Sequence, residues 1–591
     1  MARLATFGVG VLLAWAAFFG GWMSGWWLIP PLGVFVGLVV RHDRVLLARD
    51  RVSRAVAWYD HGLARLQDTW SGTGPAGDRF SDAEHLFASD LDLFGQGSLF
   101  QLLSTAKTRT GEDTLAAWLK TPAERDEVVA RQDAAKDLRP RVDLREQLAT
   151  ASAELRISVH PEQLVGWATD ETRLHGVWPR LAAVGLTALT IGVLTGWFMG
   201  TVTTGVLFVV LLLGVTFQLR FQSRTTAVMH AADGPSRELI VIGAVGAVLR
   251  RESYTAPRLT TLCASLGTED TAVGTVALGL RRLVELHDWQ HNLIFRPLAA
   301  VLFWELHCAF AVETWRQQNG PRVSRWLRTV GTFEALAALG TYAYEHPEDP
   351  FPELIESDGP SQYHADSLTH PLLPASRAVT NDVTLGDVSR VFIVSGSNMS
   401  GKTTLLRSIG VSAVMALMGA PVRAQSLRLS PMTLGATLRI EDSLQAGRSR
   451  FYAETLRLSH ILATAREGPT LFLFDELFHG TNSHDRLEGA RGLIRSLLDL
   501  DAIGLVTTHD LALAAIADPL APVVQNVHFD DHLVGDELRF DFCLKPGPVT
   551  RSNALAIMRA VGLDIVAPDR PRMANVTFPP ESSEPPSDAV P

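Results

Sequence analysis

Residues 396–403 read Gly-Ser-Asn-Met-Ser-Gly-Lys-Thr, the spacing of a phosphate-binding loop. Glycines at 396 and 401 let the backbone curl so that successive N–H groups face one anion, and a following helix adds its positive dipole end. Lys402 supplies a point charge to β- and γ-phosphates, and the Thr403 hydroxyl is suited to hold Mg2+. The expected ATP-binding segment therefore comprises Gly396, Ser397, Asn398, Met399, Ser400, Gly401, Lys402, Thr403 and Thr404. A second element of chemistry is Asp475-Glu476, directly after the apolar run Thr470-Leu471-Phe472-Leu473-Phe474. Adjacent carboxylates at a strand end serve two tasks: Asp475 in the Mg2+ shell, Glu476 as the catalytic group that orients and polarises an attacking water. His509, after Ile503-Gly504-Leu505-Val506-Thr507-Thr508, is placed to sense the γ-phosphate by a hydrogen bond.

These residues need a scaffold that delivers them to one edge. Val391-Phe392-Ile393-Val394 has the pattern of a buried strand and runs straight into the glycine loop, and residues 404–418 read as a helix. Short β-branched runs alternate with helical stretches from there on, which predicts a parallel sheet with crossover helices. Upstream, apolar positions recur at helical spacing in residues 97–103, 113–119 and 123–138, with Thr121-Pro122 between the last two, and again in 271–290 and 298–318. Pro347, Pro350, Pro352 and Pro360 predict a linker between the helical and α/β parts.

Four motifs then fall in a telling order. Gly396-x-Asn398-Met399-x-Gly401-Lys402-Thr403 comes first, then Ala446-Gly447-Arg448-Ser449-Arg450-Phe451-Tyr452-Ala453-Glu454. Asp475-Glu476-x-x-x-Gly480-Thr481 and Thr508-His509 follow. Over residues 367–564 this series resembles the ATPase domain of MutS mismatch-repair proteins, as does Lys545-Pro546-Gly547-Pro548 with a helix expected to end near Gly562. Residues 97–122, with Lys107-Thr108-Arg109-Thr110-Gly111 between two helices, resemble the MutS core. The resemblance implies an α/β P-loop (ABC-type) ATPase domain following an all-α MutS-core-like domain. It also implies an Mg2+-dependent ATP hydrolase whose composite site forms in a homodimer. Ser449 would act in trans at the partner's γ-phosphate, and Asn398 would sit at the phosphate loop. Phe451, Tyr452 and Glu454 would pack and relay. The chain departs from the family at Ser397, where Pro is frequent, and at Ser400, where Gly is frequent; both are small enough to leave the loop workable. Val379 stands where a base-stacking aromatic is usual. In the place of the family's Phe-x-Glu mismatch wedge lies an apolar stretch, so DNA remains open as a partner.

Residues 4–40 and 181–219 contain no charged side chain. As one helix the first run would measure about 55 Å against roughly 30 Å of hydrocarbon, so each run is expected to be a hairpin of two short crossings. The first breaks near residues 20–25, where Trp22, Trp26 and Trp27 suit the headgroup level; the second breaks at 196–205. Pro30-Pro31 is expected to kink the second crossing. Arg3, Arg41 and Arg44 flank the first run, and Arg173, Arg180, Arg220 and Arg224 the second, which predicts a multi-pass protein of the cell membrane with its other domains in the cytoplasm. A cleavable signal ending at Ala14-Trp15-Ala16 would export a nucleotide-dependent domain to a place without ATP. A buried core pair is the other reading of 181–219. Neither run holds an ionisable residue, so neither offers an ion path.

The expected division is thus hairpin 1–43, helical region 44–178, hairpin 179–222, helical region 223–345, linker 346–366, ATPase domain 367–567 and disordered tail 568–591, the last rich in Pro, Ser and Glu. A net charge of −10 provides no global basic field for nucleic acid. Cys263, Cys308 and Cys543 are too scattered for a disulfide framework or a cysteine zinc site. Together these features describe a membrane-anchored ATPase whose nucleotide cycle drives conformational change, with mismatched DNA as the substrate by resemblance. The alternatives are a transporter of the ABC type, which lacks its Leu-Ser-Gly-Gly-Gln signature here, and a protein-remodelling ATPase with no DNA role. A non-hydrolysing scaffold is disfavoured by the presence of Lys402, Asp475 and Glu476.

Overall fold

A computed structural model describes residues 2–20, 24–153, 160–174, 176–268, 271–293, 295–356, 359–397, 399–439, 450–478, 481–534 and 537–549. The expected tail and the expected helix ending near Gly562 lie outside the described residues. The first apolar run forms α1 (Ala2–Phe18) and, after a 3-10 turn at Gly25–Leu28, α2 (Ile29–Leu66). Pro30 and Pro31 do not kink the second helix. They occupy its first turn, where a missing N–H costs nothing and a fixed φ favours the start. No break in the backbone marks the expected division at residue 43. α2 continues to Leu66, where Arg65 forms a two-bond pair with Glu345.

Five helices follow: α3 (Leu99–Leu103), α4 (Arg109–Lys120), α5 (Arg125–Leu138), α6 (Val142–Ala153) and α7 (Pro161–Thr169). Ser98 and Thr108 cap α3 and α4 by accepting from the N–H of Gln101 and Gly111. The second apolar run is a helical hairpin, α8 (Val177–Phe198) and α9 (Thr204–Leu249), both long and apolar enough to cross a membrane. No break in the helix marks the expected division at 222. α9 runs on for 46 residues, about 69 Å, and its lower half (Val228, Met229, Leu239 and Ile242) is buried in the helical core.

After α10 (Pro257–Ser265) and α11 (Val273–Asp288), the helix expected over 298–318 is split into α12 (Arg296–Val301) and α13 (Trp304–Glu345). The split falls at Phe303, whose φ of 52° is left-handed; its ring is buried against Gly214 on α9. α13 is the spine of the block and packs on α4, α5, α7, α9 and α11. It crosses α4 so closely that a Cβ at Gly331 would stand 2.7 Å from the Thr110 carbonyl oxygen. At that crossing the fully buried Glu334 accepts from the backbone N–H of Lys107 and Thr108 and from the Thr108 hydroxyl, filling the N-terminus of α4.

The α/β part holds two sheets. β1 (Glu353–Leu354), β2 (Tyr363–Leu368), β3 (Asn381–Leu385) and β5 (Ser426–Leu429) form the smaller, in the order β1-β5-β2-β3. The proline-rich stretch is therefore not a linker over 346–366. Leu354 and Tyr363 are buried in this sheet, because prolines outside the ladder leave the two intervening short strands free to pair. The larger sheet contains β4 (Val391–Ser395), β6 (Thr433–Thr437), β7 (Thr470–Asp475), β8 (Ile503–Thr508), β9 (Val524–Val534) and β10 (Glu537–Pro546). Its order is β10-β9-β4-β8-β7-β6, parallel throughout except for the edge pair β9–β10. Crossovers are made by α14 (Lys402–Met418), α15 (Arg450–Glu467), α16 (Ser483–Asp499) and the short α17 (Leu511–Ala514). α14 is buried on nearly every side, between the large sheet and helices α4 and α5.

Candidate functional site

The parallel registers Ser395–Thr508 and Asp475–Thr507 bring the carboxyl ends of β4, β8 and β7 level, the position where open α/β sheets hold their ligands. The loop leaving β4 turns through three left-handed residues, Gly396 (φ 153°), Met399 (φ 73°) and Gly401 (φ 105°). A Cβ at Gly396 would stand 2.8 Å from the Ser400 hydroxyl, so the loop closes only around glycine there. Lys402 folds back across it, its Nζ donating to the carbonyls of Gly396 (2.8 Å) and Ser397 (2.9 Å). Burial pushes the Lys402 ammonium down from its ordinary range, and the facing Glu476 and Asp475 hold it up.

Thr403 donates to Asp475 Oδ2 at 2.7 Å, so the two residues expected to hold Mg2+ already touch. The other Asp475 oxygen accepts from the Thr507 hydroxyl, which in turn accepts from the Glu476 N–H at 3.2 Å. Glu476 sits at φ 52° and Phe478 at φ 55°, conformations that cost a non-glycine residue about 1–3 kcal/mol each. Buried Glu454 on α15 holds this turn by accepting from the Phe478 N–H at 2.6 Å. His509 Nδ1 lies 3.0 Å from Glu476 Oε1, so its described contact is with the expected general base.

The residues fit a nucleoside triphosphate with Mg2+. Two left-handed glycines open the cradle, and the buried hydroxyls of Ser397 and Ser400 lack a hydrogen-bond partner among the described residues. A family model described as MutS domain V matches residues 392–570. Residues 392–570 thus carry a domain of the MutS family. Relatives include the DNA mismatch repair protein MutS 2 of Halobacterium salinarum, 32% identical over 256 residues, which covers 42% of this chain and 29% of that protein. The endonuclease MutS2 of Thermomicrobium roseum is 32% identical over 231 residues, covering 36% of this chain and 28% of that one. The chain thus spans less than a third of the length of these relatives. Members of the family are ATPases that use Mg2+, and their domain V is the ATPase domain.

Within this MutS-type domain, Asn398, Gly480 and the trans-acting candidate Ser449 lie outside the described residues. Phe451 is exposed and faces Phe478 with ring centroids 6.2 Å apart; Tyr452 is exposed as well. Two features escaped the sequence reading. Phe542 on β10, half-exposed, lies against the phosphate loop, 3.1 Å from where a Gly401 Cβ would be. Asn381 fixes its strand, donating to the Phe542 carbonyl and accepting from the Leu544 N–H. Only the pairing of distant strands reveals an aromatic there.

The second feature is an acidic clamp between α2 and α3. Asp90, fully buried, accepts from the N–H groups of Leu438 (2.6 Å) and Arg439 (2.8 Å) and pairs with Arg457 of α15 at 2.5 Å. Asp92 pairs with Arg439 and with Arg407 on α14, the helix that begins at Lys402. Two carboxylates of the helical region thereby hold the nucleotide domain at three points. Elsewhere the described residues bring ligand atoms of His287, Asp288 and His291 within 4.8 Å of one another, a grouping that the cysteine pattern does not register.

Proposed function

We propose that the chain is a membrane-anchored, MutS-like ATPase that pairs through its nucleotide domains, closing on ATP and reopening on hydrolysis. The observation that carries the chemistry is the convergence of Lys402, Thr403, Asp475, Glu476 and His509 at one sheet edge, with direct Thr403–Asp475 and Glu476–His509 hydrogen bonds linked through Thr507. ATP with Mg2+ supplies the scissile phosphoanhydride and its counter-charge. Lys402 would leave the loop carbonyls for phosphate oxygens, and Thr403 and Asp475 would hold the cation. Glu476, steadied by His509, would accept the proton of the attacking water. Ser449 of one copy would complete the site of the other. Phe542 is the aromatic platform for the base, taking the place that Val379 leaves vacant.

Support for the anchor comes from α8 and α9. Only 17% of each apolar window is buried, which a pair of core helices would not show. Phe208, Val209, Leu212 and Leu213 present an outward apolar face, bounded by Arg180, Arg220 and Arg224. The first hairpin is shorter, with α1 about 25 Å long, and joins this reading through its Arg flanks. The relatives' names connect them with DNA mismatch repair and endonuclease activity; for this chain, DNA is the substrate arm of the test.

ATP binding and turnover of Lys402→Ala and Glu476→Gln test the engine: the first loses binding, the second binds and stalls. Wild-type turnover by Glu476→Gln removes the general-base assignment. Rates without DNA, with homoduplex and with mismatched DNA across salt test the substrate, and equal rates with no binding at low salt remove DNA. A cysteine at Ser24 tests topology, since protection from an external reagent contradicts the orientation.

A further inference from the structure

The segment joining α11 to α13 exposes a cluster of large apolar side chains beside a row of aromatic rings. Leu293 is 86% exposed, Trp289 57% and Leu298 49%, within one stretch of ten residues whose basic side chains are His291 and Arg296. Trp289, Phe295 and Trp304 form a chain of edge-on rings, with centroids 6.2 and 5.2 Å apart. Trp304 also spends its indole N–H on the Leu286 carbonyl. An exposed leucine alone means little, but a cluster of exposed apolar groups beside an aromatic row marks a surface meant to be covered.

Two contacts fix its height against the hairpin. Phe303 is buried against Gly214, six residues above Arg220 on α9, and His307 Nε2 lies 2.9 Å from the Thr187 hydroxyl, seven residues above Arg180 on α8. At 1.5 Å per residue both meet the hairpin about 10 Å inside its arginine boundary. The left-handed Phe303 turns the chain there, and two residues on, Glu305 accepts from the Thr226 hydroxyl just past Arg224, so the turn straddles the arginine level. That is the zone where Trp rings favour a bilayer, with apolar groups below them and polar groups above.

We infer that residues 289–293 and 295–303 form a third membrane element, an interfacial elbow seated in the cytoplasmic leaflet against α8 and α9. The inference rests on the reading of α8–α9 as a membrane hairpin and goes beyond it by placing part of the helical block itself in lipid. Its occupant is the acyl and headgroup region of one leaflet. The depth of Phe303 and His307 on the hairpin argues for lipid over a second copy of the chain, which would need an apolar face at that height.

The full chain, reconstituted in phosphatidylcholine–phosphatidylglycerol vesicles, provides the test. Single cysteines are placed at Leu293, at Leu189 in the hairpin (48% exposed) and at Val388 in the ATPase domain (60% exposed), with Cys263, Cys308 and Cys543 replaced and ATPase activity retained. Each is labelled with an environment-sensitive fluorophore and challenged with nitroxide-bearing lipid. The expected result is quenching at Leu293→Cys and Leu189→Cys, with none at Val388→Cys. Quenching at 189 without quenching at 293 overturns the elbow and leaves the hairpin. A blue-shifted but unquenched label at 293 shows cover by protein and overturns it as well. Absence of quenching at both sites removes the hairpin reading, and the elbow falls with it.

Discussion

Replacing Asp90 by Ala should loosen the nucleotide domain at one defined place. The carboxylate is fully buried, satisfies two backbone N–H groups and pairs with Arg457, which is itself only 16% exposed. Burial pushes the Asp90 carboxyl up, against Arg457 and the two amides, so the pair is no large net stabiliser. Removing one partner is a different matter. The substitution strands a buried guanidinium and two amides, a loss of about 3–5 kcal/mol for the broken pair. At 1.4 kcal/mol per tenfold, local opening should rise by about two to three and a half orders of magnitude. Hydrogen exchange of peptides covering Leu438 and Arg439 reads this directly, and Asp60→Ala, an exposed acid on α2, is the control. Asp90→Asn, which keeps an acceptor and the shape, should fall between. Adding Arg457→Met to Asp90→Ala should recover part of the loss, since no unpaired charge then remains. Unchanged exchange at 438–439 in Asp90→Ala would falsify the clamp.

Phe542→Ala should weaken ATP binding by about 1–3 kcal/mol, the range of one base stacked on an aromatic ring, and leave binding of inorganic triphosphate unchanged. Equal loss for both ligands would show that Phe542 only supports the loop. Gly331→Ala pushes a Cβ against the Thr110 carbonyl and should destabilise the α4–α13 crossing by about 1–3 kcal/mol, seen as a lower Tm of the helical block. Glu334 supplies a pH signature. Burial raises its carboxyl from 4.5 to about 7, so between those values the folded chain holds a proton that the unfolded chain has lost, and stability falls as pH rises. Glu334→Gln should flatten that part of the profile, and wild-type and variant Tm curves that stay parallel from pH 5 to 7 would contradict it.

The grouping of the candidate site residues was legible because they are local. Gly396 to Thr403 is one strand–loop–helix unit, and Asp475, Glu476 and His509 each follow an apolar run that can only be a buried strand. What stayed hidden depends on distant partners. Phe542 reaches the loop only through the pairing of β10 with β9, and Asp90 meets residues about 350 positions away. Gly320-Pro321 carries every mark of a turn, yet α13 runs through it. Gly320 is needed where the helix meets the Ala168 carbonyl, and Asn319 donates its side-chain amide to the Trp315 carbonyl in the disturbed turn. The expected domain division at residue 43 leaves no mark in the backbone for the opposite reason. A change from apolar to charged side chains alters the surroundings of a helix but not its backbone, and α2 continued.

The position of α13 sets the order in which this chain can be made. Glu334 closes on Thr108 across 226 residues, and the α4–α13 crossing has no substitute in the earlier sequence. A ribosome that has delivered both apolar hairpins has still not delivered the helix that joins the two helical regions. During that interval the inner faces of α4 and α5 stand open, beside two long apolar helical segments. On the proposed membrane reading, insertion of the hairpins would precede closure of the block, and a chain released before Glu345 would hold its anchors without a core to carry.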